Sequence, residues 1–249
     1  MFTDPLTIAV ALLAVFILGL SKGGFAGIGM VSTPLLSLVL PGPVAAGIIL
    51  PVLMFQDMIS MYAYRRTLSR WNLAVLLPGG LVGVLAGSAM VSLIDRGMFE
   101  LVLGAISLLF GIERVWRYFG HAPTAHKPNV VVGVICGVLA GFTSMIAHAG
   151  IPPFQFFVLP QRLQRDNYIG TSVFFYGATN FIKFPFFLSL GQITWTTGSA
   201  SLALFPVAFL SVLLGIRLVR RVSSDRYVLV ANVILIGIGV LLITRGLTA

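Results

Sequence analysis

The sequence predicts an all-α polytopic membrane protein built from two inverted-topology repeats, each a broken, re-entrant helical hairpin followed by three transmembrane helices. Three observations predict it. Of 249 residues, 58% are hydrophobic and only 9% charged, with mean hydropathy +1.02, far above what a soluble core requires. Ten apolar segments follow one another, and four of them are short and paired around Gly-, Ser- or Pro-rich breaks. The basic loops change sides between the two halves of the chain.

The segments read, in order, as 5–20, 31–40, 44–64, 71–93, 98–117, 129–146, 151–160, 167–188, 195–217 and 227–244. The first lacks a basic leader and a small-x-small cleavage site, so it reads as a retained helix and not a signal peptide. It pairs with 31–40 across "GLSKGGFAGIGMVSTP", and 129–146 pairs with 151–160 across "GFTSMIAHAGIPPF". Six segments are near full spanning length and the paired four are shorter. The organisation expected is therefore a first repeat over 1–117, an inner connecting loop over 118–128 and a second repeat over 129–249.

Positions recur between the halves. Gly47 precedes Asp57 by ten residues as Gly170 precedes Asn180, and Trp71 and Trp195 follow the same helix in each half. Pro78, Gly87, Phe99 and Gly111 have the spacing of Pro206, Gly215, Tyr227 and Gly239. The loop carrying Arg65, Arg66 and Arg70 has an uncharged counterpart, "SLGQITW". Conversely, Arg162 with Arg165, and Arg217, Arg220, Arg221 with Arg226, lie in loops whose first-half counterparts carry only Arg96. One consistent topology then puts 12 Lys and Arg inside, Arg96 and Arg245 outside, and Lys22 and Lys183 within the membrane. Both termini fall outside, and the two hairpins enter from opposite faces to meet near the midplane. Charges so placed are loop charges that set orientation, which excludes nucleic acid as a partner. The lone Cys136 cannot form an internal disulfide and reads as packing.

The two breaks are the candidate site. Irregular backbone at membrane depth must be buried in protein or line a wet cavity. Gly23, Gly24, Gly27 and Gly29 let the chain turn and let a ligand approach backbone amides. A helix restarting at Ser32, Thr33 and Pro34, with hydroxyl caps, would aim its positive end at that cavity, a setting suited to an anion. The bland alternative is that these glycines only let helices pack closely. Lys22 reads as a contact for an anion, with snorkelling or a buried pair as alternatives. In the second break, Thr143 and Ser144 offer hydroxyls, His148 a hydrogen bond or a coupling proton, and Gly150 with Pro152 and Pro153 a turn into a half-helix. Asp57 lies well within the membrane. It reads as a proton-coupling group or a tie to Lys22, against a purely structural hydrogen bond. Asn180 reads as a neutral member of the same shell. Lys183 is a second cationic contact or an outer-side snorkeler, the latter being the commoner behaviour. The tryptophans read as interfacial anchors, and the arginine clusters as solvated inner loops.

"GTSVFFYGATN", "GQITW" and "LLGIRLVRRVSSDRYVLVANVILIGIGVLL", with the first-half variant "GLSKGGFAGIGMVSTPLLSLVLP", resemble the sulfite exporter TauE/SafE family, the TSUP transporters. The resemblance covers nearly the whole chain. It departs at the second break, where "TSMIAHAGIPP" stands in place of a glycine cluster. It implies a secondary transporter for a small anion, sulfite or an organosulfonate, in the cell inner membrane. No cofactor or metal is called for. The expected partners are that anion and the lipid bilayer, with proton coupling and a homodimer as options. An anion channel is the first alternative. A membrane-embedded enzyme is weaker, since no metal-ligand spacing or paired acid and base appears, and so is an assembly factor, against which the abundant intramembrane polarity argues.

Overall fold

Among the residues that the computed structural model describes, 4–25, 27–93, 95–120, 127–219 and 225–248, all regular structure is helical. The order is α1 (Pro5–Gly23), a 3-10 turn (Ile28–Val31), α2 (Ser32–Ser37), α3 (Gly42–Tyr64), α4 (Arg70–Val91) and α5 (Arg96–Tyr118). Then come α6 (Val130–Ala147), α7 (Ile151–Val158), a 3-10 turn (Leu159–Gln161), α8 (Arg165–Ser189), α9 (Trp195–Leu218) and α10 (Asp225–Thr248). Residues 121–126 of the expected connecting loop, and Arg220 and Arg221 among the expected inner charges, lie outside the described residues.

Among the described residues, six helices are long and apolar enough to cross a membrane: α1, α3, α4, α6, α9 and the Leu229–Thr248 part of α10. This set differs from the expected one. The first helix of each hairpin reaches spanning length, 19 residues in α1 and 18 in α6. Only α2 and α7, the returning arms, are short. Meanwhile α5 and α8, though 23 and 25 residues long, are too polar to join the set, because they carry charges and amides inward.

Local chemistry starts the helices in the same way in both halves. The Asp4 carboxylate accepts from Thr7 N at the head of α1, and the Asn129 side chain accepts from Val131 N and Val132 N at the head of α6. Ser69 caps α4 and Thr194 caps α9, the latter in a capping box with Thr197. Pro78 and Pro206 both fall inside their helices.

Packing is reciprocal as well. α1 runs along α9 while α6 runs along α4, α3 faces α8, and α5 lies along α10. Small residues allow these approaches. A Cβ on Gly23 would lie 2.5 Å from the Gly215 backbone, and one on Gly137 2.4 Å from Leu76 O. Gly47 and Gly170, matched in sequence, do matched work: a Cβ on the first would meet Gln192 O at 2.0 Å, and on the second Thr67 O at 1.5 Å. Each thus seats the loop that precedes a spanning helix of the other half. One apolar core, with Ala14, Ile48 and Leu204, lies among α1, α3 and α9. Another, with Phe154, Phe157 and Phe175, lies among α4, α6, α7 and α8. Large side chains left exposed on the helix faces, such as Leu81, Val131, Leu202 and Leu210, are apolar, as contact with lipid requires.

Candidate functional site

Residues of both breaks come together in space. α1 stops at Gly24, whose φ of 136° no residue with a side chain adopts comfortably. α6 stops at His148, held left-handed at φ 51° while its N–H bonds back to Ser144 O. A non-glycine residue in that region is uncommon, and here surrounding bonds fix it.

Those bonds form a polar cluster deep among α1, α3, α6 and α8. Lys22 Nζ sits 2.5 Å from Asp57 Oδ1 in an ion pair, and Asn180 Nδ2 donates to Asp57 Oδ2 at 2.6 Å. Asp57 is completely buried, whereas the Lys22 side chain keeps 13% exposure. Asp57 and Asn180, the residues matched between the halves, therefore touch each other directly. Beside them, Lys183 Nζ donates to Ser144 O at 3.0 Å, to Ser144 Oγ at 3.1 Å and to His148 Nδ1 at 2.9 Å. His148 Nε2 lies 3.2 Å from Ala46 O. A carbonyl can only accept, so Nε2 carries the proton and Nδ1 is left to accept from Lys183. With an ammonium at Lys183, this arrangement is that of the neutral imidazole.

A cavity of about 50 Å³ opens next to the cluster. At roughly 10–15 Å³ of such volume per water, it holds on the order of four waters or one compact ion. Of the residues singled out in the sequence, Lys22, Gly24, Gly29, Ser144, His148 and Asn180 line it. Asp57 and Lys183 stand behind this wall, bonded to its members.

The remaining candidates lie elsewhere. Gly23 packs on Gly215, as in the close-packing alternative, and Gly150, at the head of α7 where a turn into a half-helix is expected, also lies close against Ala140 O. Ser32 Oγ donates to Ala14 O at 2.8 Å, and no side chain caps α2. The 3-10 turn runs straight into α2 through a helical Val31, and the Ser32 hydroxyl is committed to Ala14 O and not to an amide of the first turn. Thr143 Oγ1 bonds back to Leu139 O on its own helix. Lys183 is fully buried and does not snorkel.

Two residues missed in the sequence complete the picture. Ser172 and Tyr176 line the cavity, and with Ile169, Val173 and Asn180 they occupy one stripe of α8 at helical spacing. That spacing was the available signal. Arg114, expected in a solvated inner cluster, instead belongs to α5 and turns toward the first break: a Cβ on Gly27 would lie 3.0 Å from its Nη2. Its neighbour Arg117 pairs with Glu113.

A family model, sulfite exporter TauE/SafE, matches residues 11–242. The chain belongs to this family. TauE/SafE proteins are membrane transporters, and the match runs from α1 to α10, taking in both breaks and the five residues Lys22, Asp57, His148, Asn180 and Lys183. The protein is thus a multi-pass membrane protein of a transporter family and not of an enzyme family. No curated protein and no solved structure matches the chain.

Proposed function

We propose that this TauE/SafE protein carries a small anion, sulfite or an organosulfonate, across the cell inner membrane by alternating access, with the anion bound beside Lys22 at the cavity. One observation carries the reading. The half-buried Lys22 and the buried Lys183 stand beside a single carboxylate, Asp57, and with both amines protonated and His148 neutral the cluster carries one positive charge in excess. An uncompensated charge at membrane depth is costly, and a bound monoanion neutralises it.

Asp57 is the coupling group in this reading. An incoming anion competes with it for Lys22, and a proton taken up by the displaced carboxylate admits one further negative charge on the substrate. His148 serves instead to hold Lys183 and to tie the end of α6 to α3 through Ala46. That tie closes one side of the cluster, and alternating access must break it. This supports a carrier over an open channel.

Inverted repeats are the framework for the motion. The direct Asp57–Asn180 bond, the reciprocal helix pairing and the matched caps and glycines support a two-fold relation between halves. Opposite insertion is inferred from the swap of basic loops between them.

The test is counterflow in proteoliposomes. A carrier exchanges labelled sulfite against unlabelled sulfite on the far side, saturably, and Lys22→Ala abolishes exchange while the protein still purifies as a folded species. Unsaturable electrical conductance, or full exchange by the alanine variant, contradicts the proposal.

A further inference from the structure

Tyr176 is the one large polar residue of the cavity wall to which the charge argument assigns no role. It is 6% exposed, and its hydroxyl is buried with no hydrogen-bond partner among the described residues. Buried hydroxyls are nearly always paired, so an orphan calls for an explanation. The ring itself is well held, with centroids 5.0 Å from Phe175 and 5.6 Å from Phe154. Lys22 Nζ stands 5.6 Å from its centroid, within the range of a cation–π contact. Asn180, one turn further along α8, bonds the carboxylate that pairs with the same lysine. The Lys22 amine, a fixed phenol and the Ser172 hydroxyl thus line one cavity with Ser21, Ser144, His148 and Asn180, while Leu18, Met30, Leu53 and Ile151 supply its apolar surface.

We propose that the Tyr176 hydroxyl is a specificity-determining donor, reading an oxygen of the bound anion while Lys22 supplies the charge, with Ser172 as a second donor. The ligand class these donors select is a compact oxyanion, small enough for the cavity. The inference rests on the anion-carrier reading above. It adds a directional requirement that charge alone does not impose. The hydroxyl has no partner among the described residues, and an oxyanion in the cavity gives it one. Deleting it therefore weakens binding without weakening the empty protein.

Tyr176→Phe removes only the oxygen and keeps the ring packing and the contact with Lys22. On the purified full chain, with sulfite as the probe, titration calorimetry should show affinity at least ten-fold weaker than in the parent protein, as expected for loss of a hydrogen bond to a charged group. The melting temperature without sulfite should be unchanged or higher. Ser172→Ala should weaken sulfite binding by a smaller factor, about three-fold or more. Affinity of Tyr176→Phe within two-fold of the parent overturns the assignment. So does a loss of affinity accompanied by a lower melting temperature of the empty protein, which marks a structural role. If the parent protein itself binds no sulfite, methanesulfonate or other small oxyanion, the carrier reading fails and this one with it.

Discussion

Asp57→Asn tests the competition between carboxylate and substrate. The substitution is nearly isosteric, and an amide oxygen at the same position still accepts from Asn180. It removes the negative charge 2.5 Å from Lys22 and leaves the lysine free for an anion. A substrate oxygen touching Lys22 from the cavity side lies about 5 Å from the carboxylate, and at an effective dielectric of about 20 their repulsion is about 3 kcal/mol. Lys22 keeps some solvent contact, so screening reduces that figure, and a tightening of sulfite binding by about ten-fold to one-hundred-fold is expected. Transport should respond oppositely. With no group to take up the proton, sulfite accumulation driven by a pH gradient should fall to the level set by the sulfite gradient alone. Calorimetry on purified protein reads the first effect, and proteoliposomes with imposed pH gradients read the second. Unchanged affinity together with full pH-driven accumulation would refute the competition and leave Asp57 as a structural acceptor for Lys22 and Asn180.

Three further outcomes follow from the same geometry. Lys183→Met removes a buried cation along with its three donated bonds; the melting temperature should change by only a few degrees, since apolar replacement of a buried charge is often tolerated, while sulfite affinity drops ten-fold or more because the site loses its excess charge. Equal affinity in calorimetry would remove Lys183 from the charge balance. Gly170→Ala places a Cβ 1.5 Å from Thr67 O, so the backbone must shift, and a loss of about 1–3 kcal/mol or failure to fold is expected in thermal unfolding, against little effect at Gly198, where a Cβ meets nothing within 4 Å. Single cysteines replacing Arg66 and Gly191 in a Cys136→Ser background should label from opposite sides of sealed vesicles, and labelling from one side would overturn the inverted insertion.

The helices were legible because long apolar runs ended by Gly, Pro or charged loops leave little freedom in a membrane. Nearly every expected segment overlaps one helix almost end to end. What the runs did not reveal was where polarity enters the bundle: α8 carries Asn180 and Lys183 inward, and only the tertiary arrangement shows Ser144 and His148 waiting for the ammonium. A flexible four-carbon stem has no sequence mark that separates snorkelling from burial. The Lys22–Asp57 tie was readable as an option because two opposite charges at membrane depth need each other. Ser32 misled because a hydroxyl before an apolar run usually caps, whereas here the preceding 3-10 turn runs on into α2 and the hydroxyl bonds Ala14 O on α1 instead. Tyr176 could have been found from the stripe Ile169, Ser172, Val173, Tyr176 and Asn180, but an aromatic at helical spacing reads first as core.

The most direct measurement is to locate the anion. A structure of the full chain with selenite, a heavier analogue of sulfite, would show an anomalous peak at the bound selenium. The peak should lie in the cavity, with selenite oxygens in hydrogen-bond contact with Lys22 Nζ and the Tyr176 hydroxyl. A peak absent from that cavity but present elsewhere on the protein would contradict the assignment of the two breaks as the binding site.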